Sequence, residues 1–223
     1  MEPMSTRVVV DAHEIEDDIV SKFGISPADL EGVGRSMLRA FLQVTSLHPK
    51  GFEGTNAWGE GSAAIRSALI PKGWHPEDPQ NQPRIVSRRL NVAITVSSGS
   101  PYTGVKDRTP QTRNNKGAQT SASVNFNAKQ FEMFPVAQRV VAFPMLQNGQ
   151  ALWILLYYID LDNRELRYEL SQPTAMSELD KVSEWSVRYI FPPIGFGDHV
   201  DEVGGRDDQD DMPDIDIEVT PKK

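Results

Sequence analysis

The sequence contains no cysteine, and this absence excludes several kinds of site. Without thiols the chain has no disulfide, no thiolate metal ligand and no cysteine nucleophile. Histidine is also scarce, and the four histidines show neither H-x-x-x-H nor H-E-x-x-H spacing. A zinc site built on histidine is therefore not expected.

Long hydrophobic runs are missing as well. The longest, residues 151–159, is about half of the roughly 20 residues that a membrane-spanning helix requires. Near the N-terminus the only apolar run is residues 8–10, which acidic residues follow, and this run is too short for the core of a secretory signal. We expect a soluble, cytoplasmic protein with no membrane partner.

The composition is that of a folded domain followed by a polar tail. The 223 residues are 39% hydrophobic and 24% charged, which is enough to build a packed core. After Phe196 apolar residues become rare and acids dominate. We predict one globular domain over residues 1–197 and an acidic, disordered tail over residues 198–223.

Charge is distributed unevenly along the chain, whose net charge is −8. Residues 84–139 contain nine lysines and arginines against two acids, whereas residues 198–223 contain three against ten. An asymmetry of this kind indicates an anionic partner or a contact between the two segments.

Apolar residues at helical spacing predict helices in the first part of the chain. One helix ends at Gly24, and the next begins at Ser26, which forms a capping-box pattern with Asp29. Residues 48–61 are rich in glycine and are predicted to be a loop. Ser62 is expected to cap a short helix after that loop.

The apolar period changes to two from Leu90 onward, which indicates strands. Residues 98–125 show no periodicity and are predicted to be a long, basic loop. Residues 137–146 and 151–159 flank Asn148-Gly149, a pair of residues typical of hairpin turns. The order of elements predicts an α+β fold, with the N-terminal helices on one face of a mostly antiparallel sheet of four to six strands.

The basic segment and the arginines before it form the main candidate site. Arginine and lysine neutralise phosphates, and asparagine adds hydrogen bonds to phosphate, sugar or base edges. A solvated surface loop explains the same composition. The candidate residues for binding nucleic acid or phosphate are Arg84, Arg88, Arg89, Lys106, Arg108, Arg113, Asn114 and Lys116.

A cluster of acids after the longest apolar run is a second candidate. Carboxylates at short spacing can hold Mg²⁺ or Mn²⁺ for hydrolysis of nucleic acids or nucleotides. Asp162-Asn163 also suits an ordinary turn, so no metal or other cofactor is expected under the favoured interpretation. The residues of the alternative metal site are Asp160, Asp162, Glu165 and Glu169.

The tail ends in a pattern that suits pairing with a sheet edge. Ile215, Ile217 and Val219 alternate with acids, so an extended segment would present them to a protein partner.

Three functions follow from these patterns. The favoured one is a non-catalytic binding or adaptor protein that engages a phosphate-bearing partner, nucleic acid above all, through the basic loop. The acidic tail would shield that loop or dock a protein partner. The alternatives are a metal-dependent nuclease or nucleotide hydrolase and an assembly subunit of a multi-protein complex, so enzymatic activity stays an open question.

Overall fold

A computed structural model describes residues 6–133 and 150–197. Its four α-helices are α1 (Ala12–Phe23), α2 (Pro27–Leu42), α3 (Phe52–Leu69) and α4 (Ala118–Met133). Its strands are β1 (Arg7–Val9), β2 (His75–Glu77), β3 (Arg84–Ser87), β4 (Val92–Ser98), β5 (Ala151–Asp160), β6 (Glu165–Met176), β7 (Val182–Ile190) and β8 (Ile194–Gly195). The α+β class is confirmed.

The first two helices begin and end where local chemistry directs them. Asp11 caps α1 by accepting a hydrogen bond from the Glu14 N–H, and Gly24 ends that helix in the left-handed conformation. Ser26 and Asp29 form the predicted capping box at the start of α2.

The strands form one mixed sheet with the order β1-β7-β6-β5-β4-β3-β2, and β8 pairs with β6. Most neighbours are antiparallel, as predicted, but β1 runs parallel to β7 and β4 runs parallel to β5. With eight strands among the described residues, the sheet is larger than the predicted four to six. The short strands β1, β2 and β8 account for the difference in strand number. Each has only two or three residues, which is too few to show the alternation of apolar and polar residues that predicts a strand.

Helices cover both faces of the sheet, not one. The first three helices pack on one face, where Phe23, Leu30 and Met37 join Trp153 and Tyr189 in the larger core. Val124 of α4 belongs to a smaller core on the other face, with Leu152 and Ile154 of β5 among its members. The prediction that the N-terminal helices pack on one face is correct, and α4, which was not predicted, covers the other face.

The glycine-rich stretch predicted as a loop is the first half of α3. Gly51 has a φ of 83° and precedes the helix, whose eighteen residues include Gly54, Gly59 and Gly61. A Cβ at Gly61 would lie 2.6 Å from the Met37 side chain. That glycine therefore lets α3 approach α2 closely, a packing advantage that outweighs its low helix propensity.

The long loop predicted over residues 98–125 is shorter than expected. It ends at Gly117, because Ala118 begins α4. Asn127 anchors this helix: its side-chain amide donates to the Leu152 and Pro173 carbonyls, and its oxygen accepts from the Leu152 N–H. The predicted hairpin strand over residues 137–146 and the Asn148-Gly149 turn lie outside the described residues.

Candidate functional site

Residues 99–117, which we call the basic loop, lie against the sheet face that α4 also covers. The Thr112 N–H donates to the Val182 carbonyl at 3.0 Å. The indole nitrogen of Trp185 donates to the Pro110 carbonyl at 2.9 Å. Hydrogen bonds between the backbone of the basic loop and two residues of β7 thus fix the path of this loop over the sheet.

A buried ion pair beneath the basic loop fixes its middle. Glu169 and Arg188, from β6 and β7, are 0% and 2% exposed, and Arg188 Nη2 lies 2.6 Å from Glu169 Oε2. Arg188 also donates to the carbonyls of Val105 and Arg108, while the Gly104 N–H donates to Glu169. Each charge is satisfied within the fold, so this pair holds the loop in place.

A cavity of about 770 Å³ opens where the basic loop leads into α4. The C-terminal ends of β4 and β5 form its floor, and residues from the start of α3 form another wall. These two strands are parallel neighbours, and the connection between them carries α4. Ligands of sheets with such crossovers bind outside the carboxyl ends of the strands, and the volume suits a small molecule.

Lys116 places a partly buried amine in this cavity. Its Nζ donates to Ser97 Oγ at 2.6 Å, and it forms no salt bridge with any acid of residues 6–133 or 150–197. Burial lowers the pKa of Lys116 from 10.5 to about 8. Among the described residues no acid supplies a countercharge to this cation, and an anionic ligand would supply one.

The start of α4 adds to the positive potential of the cavity. Residues 117–120 line it, and the first N–H groups of a helix have no partner within the helix. Arg113 lines the cavity and is exposed. Glu53 is the one acid that lines it within the described part of the chain. The electrostatics therefore favour an anion.

Aromatic side chains give the cavity an apolar wall. Trp58 of α3 is 38% exposed, and its indole nitrogen donates to the Val96 carbonyl at 3.2 Å, which fixes the ring. Burial raises the pKa of Tyr157 to about 12, so this phenol is neutral at physiological pH. Trp58 and Lys116 line the same cavity, so the cavity can accept a ligand that has both an anionic group and a flat, partly apolar group.

No family model, curated protein or solved structure matches the chain. Its function is therefore inferred from the geometry of the site itself. Within residues 6–133 and 150–197, no helix is long and apolar enough to span a membrane.

The structure divides the predicted phosphate-binding residues into groups. Only Arg113, Asn114 and Lys116 line the cavity. Lys106 and Arg108 are exposed on the basic loop away from it, with the Arg108 guanidinium 5.6 Å from the centre of the Tyr102 ring.

The three arginines before the loop do not join this site. Arg84 Nη2 lies 2.8 Å from Glu77 Oε2, so the carboxylate of Glu77 balances the charge of Arg84. Arg88 and Arg89 lie in the turn between β3 and β4, at the opposite end of β4 from the cavity.

The four acids of the alternative metal site are not gathered around one point. Asp160 accepts hydrogen bonds from Asn163 and from Arg167, and Glu169 is paired with Arg188. Across the described ranges, no group of three or more histidines and acids could hold a metal ion. The geometry gives no support to a hydrolase dependent on Mg²⁺ or Mn²⁺.

Two predictions concern residues that the structure does not describe. The acidic tail and its residues Ile215, Ile217 and Val219 lie beyond residue 197. The assembly role that rests on them stays a prediction.

Ser97 and the start of α4 are the parts of the site that the sequence-based prediction missed. Ser97 stands in an "SSGS" stretch directly after an apolar run, at the end of a strand. Two glycines are the signals that could have indicated these parts of the site. Gly99 directly follows the strand that contains Ser97, and Gly117 directly precedes α4.

Proposed function

We propose that this protein is a binding protein that holds a phosphate-bearing partner in the cavity, as a free nucleotide or as the terminal nucleotide of a nucleic acid strand. Lys116 is the observation that carries the proposal. It is a partly buried ammonium in a cavity, without an acidic partner among the described residues. Because partial burial of an unpaired charge has a cost, a bound phosphate would relieve that cost and gain charge-assisted hydrogen bonds.

The rest of the cavity suits the other parts of a nucleotide. Arg113 and the first N–H groups of α4 can share the phosphate oxygens with Lys116. The exposed face of Trp58 offers a platform for a base. The side chains of Asn114 and Asn115 line the same cavity and can bond to base or sugar.

The placement of the cations favours one nucleotide over a long stretch of backbone. A protein that follows nucleic acid needs cations along a continuous path. Here Arg88 and Arg89 are at the far end of β4, and Lys106 and Arg108 lie outside the cavity. We therefore expect only about one to three phosphates to be contacted, and a shallow salt dependence of binding.

The test is to measure affinity for a nucleoside monophosphate and for single strands with and without a 5′ phosphate, over a salt series. Lys116→Gln should weaken binding of the phosphorylated ligands by about tenfold to a hundredfold, since a hydrogen bond to a charged group is worth roughly 1.5–3 kcal/mol. Lys106→Gln removes an exposed cation of the same loop and should change affinity little. Equal losses in the two variants would contradict a site at the cavity.

The acidic tail is proposed as a competitor for this site. Residues 198–223 carry ten acids against three basic residues, and opposite charges attract most strongly at low salt. Removal of residues 198–223 should therefore tighten binding of the phosphorylated ligand at low salt. An unchanged affinity would show that the tail does not shield the cavity.

A further inference from the structure

We infer that the cavity also carries an activated nucleophile, in which Ser97 attacks a small carboxylic ester and Lys116 is its general base. This activity goes beyond ligand binding and uses the same Lys116 in the same cavity. Ser97 Oγ lies 2.6 Å from Lys116 Nζ, on the cavity wall at the end of β4. A hydroxyl within hydrogen-bond reach of a base is the arrangement that nucleophilic catalysis requires, and pairs of serine and lysine perform it in known variants of the serine triad.

The surroundings of Lys116 suit the role of a base. Burial lowers its pKa to about 8, so an appreciable fraction of the amine is neutral near physiological pH. The other titratable side chains that line the cavity are Glu53, Arg113, Tyr157 and Tyr158. None of these four side chains forms a hydrogen bond or salt bridge with Lys116, whereas Ser97 accepts a hydrogen bond from it.

The hydroxyl can change its partner when the amine loses its proton. In the structure Ser97 Oγ donates to the Ser98 carbonyl at 3.3 Å and accepts from Lys116. Once Lys116 is neutral, the hydroxyl can rotate and donate to the amine instead. Ser97 then becomes the better nucleophile, with its proton directed toward Lys116.

The reaction proceeds in two steps. Ser97 Oγ forms a bond to the ester carbonyl carbon, its proton passes to Lys116, and the bond to the alcohol breaks as that alcohol leaves with the proton. Water then attacks the acyl carbon and gives one proton to Lys116. The bond from the acyl carbon to Ser97 Oγ breaks, Lys116 returns the proton to that oxygen, and the carboxylic acid leaves. The first N–H groups of α4 line the same cavity and are suited to stabilise the negative oxygen that forms in each step.

Binding of phosphate and nucleophilic attack need opposite protonation states of Lys116. A bound phosphate holds the ammonium form, whereas attack by Ser97 requires the neutral amine. A nucleoside monophosphate should therefore protect Ser97 from acylation, and acylation should accelerate as the pH rises through about 8.

The experiment treats the full chain with 4-nitrophenyl acetate and follows release of nitrophenolate, with the acetylated residue located by peptide mapping. The expected result is a burst of release and an acetyl ester on Ser97. Ser97→Ala should abolish both. Ser98→Ala is the matched control, because Ser98 also lines the cavity but the hydrogen bond of the Lys116 amine goes to Ser97, and this variant should acylate normally.

This experiment is separate from the test of the proposed binding function, because phosphate affinity is measured on the wild type in the absence of ester. Arginine cannot act as a base, so Lys116→Arg should lose about a hundredfold or more of the acylation rate. Acetylation on Lys116 instead of Ser97, or equal rates in wild type and Ser97→Ala, would overturn the nucleophile while leaving the binding site standing.

Discussion

Replacing Lys116 with methionine should stabilise the folded protein. The burial that lowers the pKa of Lys116 from 10.5 to about 8 disfavours its charged form. Each pKa unit corresponds to about 1.4 kcal/mol, so keeping this charge in the fold costs about 3 kcal/mol. Methionine removes the charge and retains a side chain of similar length, and Ser97 keeps its hydrogen bond to the Ser98 carbonyl.

The gain should depend on pH in a defined direction. Below pH 8 Lys116 is charged in both the folded and the unfolded protein, so the full cost of about 3 kcal/mol applies. Between pH 8 and 10.5 the unfolded chain binds more protons than the folded one, and the stability of the wild type rises. The advantage of Lys116→Met should therefore fall to about 1.5 kcal/mol at pH 9.5.

Urea unfolding of the wild type and Lys116→Met at pH 7 and pH 9.5 measures both quantities. Lys106→Met is the control, because this exposed lysine of the same loop should change stability by no more than about 0.5 kcal/mol. If Lys116→Met is less stable than wild type at pH 7, or if its advantage is the same at both pH values, Lys116 is not a costly buried cation and the reasoning fails.

Further predictions concern the loop, the ligand and the helix packing. Arg188→Met should destabilise the fold by about 3–5 kcal/mol because it leaves Glu169 buried without a countercharge, and adding Glu169→Gln should recover part of the loss in thermal unfolding. Calorimetric titration should show phosphate binding weakening above pH 8, as the cavity lysine loses its proton. Gly61→Ala should cost about 1–3 kcal/mol because its Cβ would collide with α2, whereas Gly59→Ala, which meets open space, should stabilise α3 by about 0.5–1 kcal/mol.

The helix ends were predicted correctly where side chains within a few residues determine them. The capping box of Ser26 and Asp29 and the end of α1 at Gly24 follow from side chains within a few residues. By contrast, the glycine-rich half of α3 is helical because Gly61 packs closely against Met37, a contact between distant parts of the chain. Sequence patterns carry no signal for such a contact, so tertiary packing reversed the expected loop.

The site was predicted in part for a similar reason. Its charged residues were visible as a basic segment, and Arg113, Asn114 and Lys116 do line a cavity. The separation of these residues from Arg88 and Arg89 depends on which end of β4 each occupies. The parallel pairing of β4 with β5 determines where the cavity forms, and alternation of apolar residues does not reveal the direction of a neighbouring strand.

The most direct test of the proposed phosphate site is a crystal structure of the full chain with a nucleoside monophosphate. We predict phosphate density in the cavity, within about 3 Å of Lys116 Nζ, with the base toward Trp58. Density for the phosphate at Arg88 and Arg89 instead, with an empty cavity at saturating ligand, would contradict the account.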